Sequence, residues 1–189
     1  MQATPLGAGI FTIDNFLSAD ECRHYIALSE RMGYQPSEVD LATGSRRLEE
    51  VRNNDRVLCD DVAMAAFLFE RAEPFLPPEL DGWALHGFNE RLRFYRYGPG
   101  EYFKWHKDGT YVAAPGVESR LTFMIYLNVG FEGGDTQFRW DRVQPDEGRV
   151  LVFPHRQSHQ GAELMAGTKY VLRTDVMYRQ LHDDELPAN

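Results

Sequence analysis

From residue 91 onward the chain is a succession of short runs rich in β-branched and aromatic residues, and this pattern restricts the fold more than any other feature. Residues 92–98, 120–128, 135–140, 148–153 and 169–178 all read as strands. Gly98-Pro99-Gly100, Gly133-Gly134-Asp135 and Ala166-Gly167 punctuate them as turns. Several short strands at such regular spacing predict a β-sandwich or barrel.

The first half reads differently. A short strand is expected over 9–16, and Ser18 with Glu21 three residues later forms a capping-box signature for a helix running to about Arg31, with Gly33 as its stop. A second helix is expected over 61–72, ended by Pro74 and the Pro77-Pro78 pair. Residues 35–56 are polar and irregular, either a solvated loop or a segment folded over a pocket mouth. Helices first and strands later place the chain in the α+β class, with an antiparallel jelly-roll core and the N-terminal helices packed on one sheet. Repeats, low-complexity tracts and linkers are absent from the sequence, so residues 1–189 are expected to form one domain.

A net charge of −9, with no basic run longer than Arg46-Arg47, argues against nucleic acid and anionic membrane surfaces as partners. A local basic groove within the acidic total is still compatible with that sum. Cys22 and Cys59 have no motif spacing and fit a reducing compartment. No charged-then-apolar leader is visible, and no apolar stretch approaches the roughly 20 residues a membrane helix needs. A cytoplasmic location is expected.

His106-Lys107-Asp108 is the first triplet with chemical content. In extended chain, residues i and i+2 share a side, so an imidazole and a carboxylate can converge on one ion. The pattern alone is weak, because His182-Asp183-Asp184 also fits; that copy, near the chain end and without a strand, reads as a solvated tail. The first copy follows a strand and a glycine-rich turn. It precedes a stretch, 109–119, that is either a lid or a plain connector. A third ligand must come from His155 or His159, just beyond the strand at 148–153. Two imidazoles and one carboxylate leave three open positions on an octahedral ion, which favours non-haem Fe(II) over a closed tetrahedral zinc site. Lys169 opens the last strand; it either faces a buried anion or lies outside with Val171, Arg173 and Asp175.

From about Arg91 to Tyr178 the chain resembles the prolyl 4-hydroxylase branch of the 2-oxoglutarate/Fe(II) dioxygenases. The resemblance rests on Tyr97-x-x-Gly100-x-x-Phe103-x-x-His106-x-Asp108, on Gly133-Gly134-Asp135-Thr136, and on His159-x-Gly161 with Lys169 ten residues further on. It implies a double-stranded β-helix, with His106, Asp108 and His159 as iron ligands and so His159 rather than His155. It also implies Lys169 and Tyr97 on the distal carboxylate of 2-oxoglutarate, with Thr122 lining that pocket. The implied cofactor is Fe(II), with 2-oxoglutarate and O2 as cosubstrates and ascorbate as reductant. The implied activity is C–H hydroxylation of a prolyl or other residue in a peptide or protein. Trp105, Tyr111, Arg120, Trp140 and Arg173 are candidates for the substrate opening. Two alternatives stand beside this reading: a cupin-like dioxygenase or isomerase acting on a small molecule, and a non-catalytic metal-binding sensor domain.

Overall fold

In the computed structural model, which describes residues 1–41, 44–46 and 48–181, the strand-rich half closes on itself as two antiparallel sheets. The larger runs, in spatial order, Gln2–Gly7, Ile10–Asp14, Val150–Pro154, Val117–Tyr126, Lys169–Gln180, Arg91–Tyr97, Asp55–Asp60 and Gln35–Pro36. The smaller contains Phe103–His106, His159–Gly161, Thr136–Phe138 and Arg142–Val143. The chain is thus mostly antiparallel β with few helices, a jelly-roll-like arrangement.

Side chains alternate across the larger sheet with the period of two that a pleated strand imposes. Leu92 and Phe94, Phe123 and Ile125, Val150 and Val152, and Leu172 go to one core. Their sequence neighbours Tyr95 and Tyr97, Tyr126, Leu151 and Phe153, and Val171 go to a second core that also contains Phe138 and Val143 of the smaller sheet. The first core takes in Cys22 and Tyr25 of α1 (Ala19–Met32) and Leu68 and Ala72 of α2 (Val62–Ala72). Tyr25 meets Phe94 at 6.4 Å between ring centroids, and Phe69 meets Phe88 edge-on at 5.4 Å.

Helix α1 begins at a complete capping box, in which Ser18 Oγ accepts from the Glu21 amide and Glu21 accepts from the Ser18 amide. Arg71 of α2 bonds the same Glu21 carboxylate at 2.7 Å and holds the acid down at about 2. Gly148 clamps the other side of the α1 entry, since its carbonyl accepts from the Phe16 and Leu17 amides. A Cβ at that position would lie 2.0 Å from the Leu17 carbonyl oxygen, and the backbone has φ +74°, so only glycine fits.

Some elements differ from the sequence expectation. Asp55–Asp60 and Trp83–Phe88 are strands of the larger sheet, and Val112–Ala114 folds back on Val117–Tyr126 as a hairpin. The stretch read as a lid or connector is therefore a hairpin extension, closed where the Ser119 amide donates to Tyr111 O at 2.8 Å. Within residues 35–56, read as either a solvated loop or a segment folded over a pocket mouth, Arg52 is buried and borders a cavity. His182-Asp183-Asp184 lies outside the described residues.

Candidate metal centre

His106 and His159 face each other directly across the pairing of Phe103–His106 with His159–Gly161. Asp108 follows His106 by two residues and is fixed by its amide, which donates to His155 O at 3.0 Å. The result is a cluster of three potential ligands: Nε2 of His106 lies 3.6 Å from one Asp108 oxygen, and Nε2 of His159 lies 3.8 Å from the other. Two ligands at roughly 2.1 Å from a shared ion lie at most about 4.2 Å apart, so both separations are within reach of one ion.

Each imidazole is also oriented from behind. His106 Nδ1 lies 2.7 Å from Lys104 O, and His159 Nδ1 lies 3.0 Å from Gln157 O. A carbonyl only accepts, so both Nδ1 atoms carry the proton and both Nε2 lone pairs face the aspartate. Burial pushes His159 down to about 4, which keeps it neutral and able to ligate at pH 7. Burial on its own would raise Asp108, but the Arg173 guanidinium beside it outweighs that and holds the carboxyl well below the usual range.

His155 serves the cluster from the second tier. The Tyr111 amide donates to Ser119 Oγ at 2.9 Å, and Ser119 Oγ lies 2.8 Å from His155 Nε2. His155 Nδ1 lies 3.0 Å from Thr122 Oγ1, and Thr122 donates to Asp108 at 2.5 Å. Both His155 nitrogens are thus occupied, leaving neither for an ion, and Thr122 acts on the aspartate as well as lining the inner cavity. This relay was not legible in the sequence.

Lys169 points inward opposite Tyr97, its cross-strand partner, and is 4% exposed. The outward alternative is thereby corrected: Lys169, Val171, Arg173 and Asp175 form the inner face, which is polar because it lines cavities rather than solvent. Lys169 Nζ donates to Gly134 O and sits between the rings of Tyr97 and Tyr126, at 5.3 and 5.4 Å from their centroids. Among the described residues no carboxylate is within ion-pair distance of it. Burial pushes the ammonium down to about 8, and Asp135 only partly opposes this. Gly134, at φ +70°, permits this approach, since a Cβ there would meet Leu164 at 2.9 Å and Lys169 at 3.2 Å.

Two cavities share the metal cluster as a wall. The inner one is narrow and bordered by Tyr97, Thr122, Thr136, His159 and Lys169. The outer one, about 550 Å³, opens beside His106 and Asp108 and is bordered by Tyr111 and Arg173. Trp105, Arg120 and Trp140 do not border either. Trp105 faces away from its neighbour His106 and stacks under Arg139 at 3.9 Å. Arg120, turned by a register shift between Ser119 and Leu121, lies over Trp83 at 4.0 Å. Trp140 is 55% exposed beside Phe138.

Comparison with known proteins places this geometry. The family model of the 2OG-Fe(II) oxygenase superfamily matches residues 92–174, a span that holds all three cluster residues and Lys169. Over residues 92–174 the chain is similar to that superfamily. Prolyl 4-hydroxylase 1 of Arabidopsis thaliana is 23% identical over 188 residues, covering 85% of this chain and 66% of that protein, so the chain spans about two thirds of its relative's length. The viral collagen prolyl hydroxylase of Paramecium bursaria Chlorella virus-1, solved as a 2OG complex, superposes with a TM-score of 0.64 at 21% identity, over 92% of this chain and 97% of that one. The prolyl hydroxylase of Trichoplax adhaerens, solved with a hypoxia-inducible factor peptide fragment, gives 0.67 at 17% identity, over 89% and 83%. The superfamily match favours neither the cupin-like alternative nor the sensor domain.

Proposed function

We propose that this chain is a 2-oxoglutarate-dependent Fe(II) dioxygenase that hydroxylates a C–H bond of a prolyl or other residue in a peptide or protein. One observation carries the reading: a His-Asp-His cluster stands between two cavities, and the inner one contains a buried ammonium with no carboxylate partner among the described residues. Two imidazoles, one carboxylate and open positions suit non-haem Fe(II), and the ammonium suits the far end of a diacid. With Fe(II), 2-oxoglutarate and O2 bound, the centre couples decarboxylation of the oxo acid to succinate and CO2 with insertion of one oxygen atom into the substrate.

His106, Asp108 and His159 hold the metal, and Thr122 and Arg173 fix the carboxylate between them. Lys169 anchors the distal carboxylate of 2-oxoglutarate by exchanging its bond to Gly134 O for an ionic one. Tyr97, pushed up to about 12 by burial, remains a hydroxyl donor at neutral pH for the same group. The aromatic walls, Phe103 stacked on His106 at 3.5 Å and Phe153 against His159 at 4.5 Å, exclude water from the reacting centre. In this reading the fold is a double-stranded β-helix whose larger sheet is buttressed by α1 and α2, the whole chain acting as one unit. The prolyl hydroxylases among the structural relatives support a peptide substrate.

The test is direct. Purified protein with Fe(II), 2-oxoglutarate and ascorbate is expected to release succinate, and His159→Ala to abolish that release. Fe(II)-independent release, or full release by His159→Ala, contradicts the proposal.

A further inference from the structure

The outer cavity has a charge balance unlike that of the whole protein. Its walls carry six Arg and Lys side chains against three carboxylates, while the chain as a whole carries −9. Most of these cations are already committed. Arg56 pairs with Glu38, and Arg91 makes a two-point bond to Asp60. Arg93 and Arg173 share one carboxylate, Asp175, at 3.0 and 3.2 Å, and Arg173 also reaches Asp108 at 3.0 Å.

Arg52 is different. It is 5% exposed, and its guanidinium is stacked between Tyr95 and Phe103, at 4.3 and 4.4 Å from the ring centroids. Its Nε donates to Asn54 at 2.6 Å, and its Nη2 has no partner. Among the described residues it has no carboxylate within ion-pair distance. A buried guanidinium without a counter-ion is held at a cost, and here it is held rigidly, on the wall of the cavity that opens at the metal cluster. Arg93 and Arg173 border the same cavity. Tyr95 is fully buried, which alone would raise its hydroxyl, yet Arg52, Arg173 and Arg93 together hold it below the ordinary tyrosine value.

We infer that Arg52 is a specificity residue that receives a carboxylate of the primary substrate, so that the molecule hydroxylated is an acid. The inference deepens the dioxygenase reading and rests on it for placing the substrate beside the metal. The sixth cation of the wall, Lys107, is exposed to solvent, so Arg52 is the one buried cation there without a carboxylate among the described residues, and a single desolvated charge favours a monoanionic carboxylate over a phosphate dianion. The planar fork also matches carboxylate geometry. The carboxylate has two sources, a free α-carboxyl or an acidic side chain, and the experiment separates them.

Full-length protein loaded with redox-silent Mn(II) and 2-oxoglutarate is titrated calorimetrically with N-acetyl-L-proline and with N-acetyl-L-aspartamide, which keeps its side-chain carboxylate and has its α-carboxyl amidated. The neutral counterparts are N-acetyl-L-prolinamide and N-acetyl-L-asparaginamide, and inorganic phosphate is run in parallel. At least one acid is expected to bind tenfold or more tighter than its amide; the acid that does so identifies the source. Arg52→Gln is expected to erase that preference, and Arg52→Lys, which keeps the charge and loses the fork, to retain part of it. Melting curves of both variants establish that they fold. If only one variant folds, its result alone decides. Equal binding of acid and amide, no binding of either acid, tighter binding of phosphate, or a preference that survives Arg52→Gln would each overturn the inference. Binding of 2-oxoglutarate is measured first on the same samples. Its absence counts against the dioxygenase reading, whereas its presence without acid preference counts against Arg52 alone.

Discussion

Replacing Lys169 by methionine is expected to stabilise the protein while disabling it. The ammonium is 4% exposed and is pushed down to about 8 by burial, against an ordinary lysine value of about 10.4. At about 1.4 kcal/mol per tenfold change in proton affinity, keeping it charged in the fold at pH 7 costs roughly 3 kcal/mol. Its bond to Gly134 O returns about 1 kcal/mol, so Lys169→Met, of similar volume, gains about 2 kcal/mol in the cofactor-free protein. For a domain of this size that is a rise in Tm of roughly 4–8 °C. The sign fixes the pH dependence. The charge penalty is fully present below the folded value of about 8 and fades as pH rises towards the unfolded value, so the gain should shrink between pH 8 and pH 10.5. Calorimetry on Mn(II)-loaded protein should show 2-oxoglutarate affinity falling by about 10²–10³-fold, because the distal carboxylate is left without its ion partner. A variant less stable than wild type at pH 7 that still binds 2-oxoglutarate normally would refute the reasoning.

Further predictions concern the scaffold and the second tier. Thr122→Val cuts the link from His155 to Asp108 and should weaken Mn(II) binding by about 10–100-fold in equilibrium dialysis; unchanged affinity would show that the relay does not orient the ligand. Arg71→Ala removes the bond that holds Glu21 at about 2. Because the folded acid is below its unfolded value, this stabilisation is complete above about pH 5 and is lost as pH falls towards 2. With both groups partly solvated, wild type should exceed the variant by about 1 kcal/mol at pH 7 and by nearly nothing at pH 2 in urea titrations, and a pH-independent gap would contradict this. Gly148→Ala should cost upwards of about 3 kcal/mol, read from the urea midpoint, since the added Cβ overlaps the Leu17 carbonyl; a wild-type midpoint would mean the loop shifts freely.

Legibility in the sequence followed the strength of local signals. The capping box at Ser18 and Glu21, the proline stop at Pro74 that ends α2, and the alternating strands around Phe123 and Val171 each carry their own physical signature, and the structure contains all of them. Asp55–Asp60 did not announce itself, because among its charged and polar residues only Val57 is buried and its pairing is supplied by Arg91–Tyr97. The orientation of Lys169 was undecidable locally: its face is polar whether it looks into solvent or into a binding chamber, and only closure of the second sheet separates the two. Phe103–His106 carries a register shift that brings both end residues to the cavity, although alternation alone would put residues three apart on opposite sides, while Trp105 points away from its neighbour His106. Arg52 sits in a polar, aperiodic segment, and its burial depends on Tyr95 and Phe103, both distant in sequence.

The central claim is most directly tested by an anaerobic crystal structure with Mn(II) and 2-oxoglutarate. The expected result is one ion bonded to Nε2 of His106, a carboxylate oxygen of Asp108 and Nε2 of His159, with the distal carboxylate of the oxo acid on Lys169 Nζ in place of Gly134 O. An ion held at His155, or a diacid bound away from Lys169, would contradict the account.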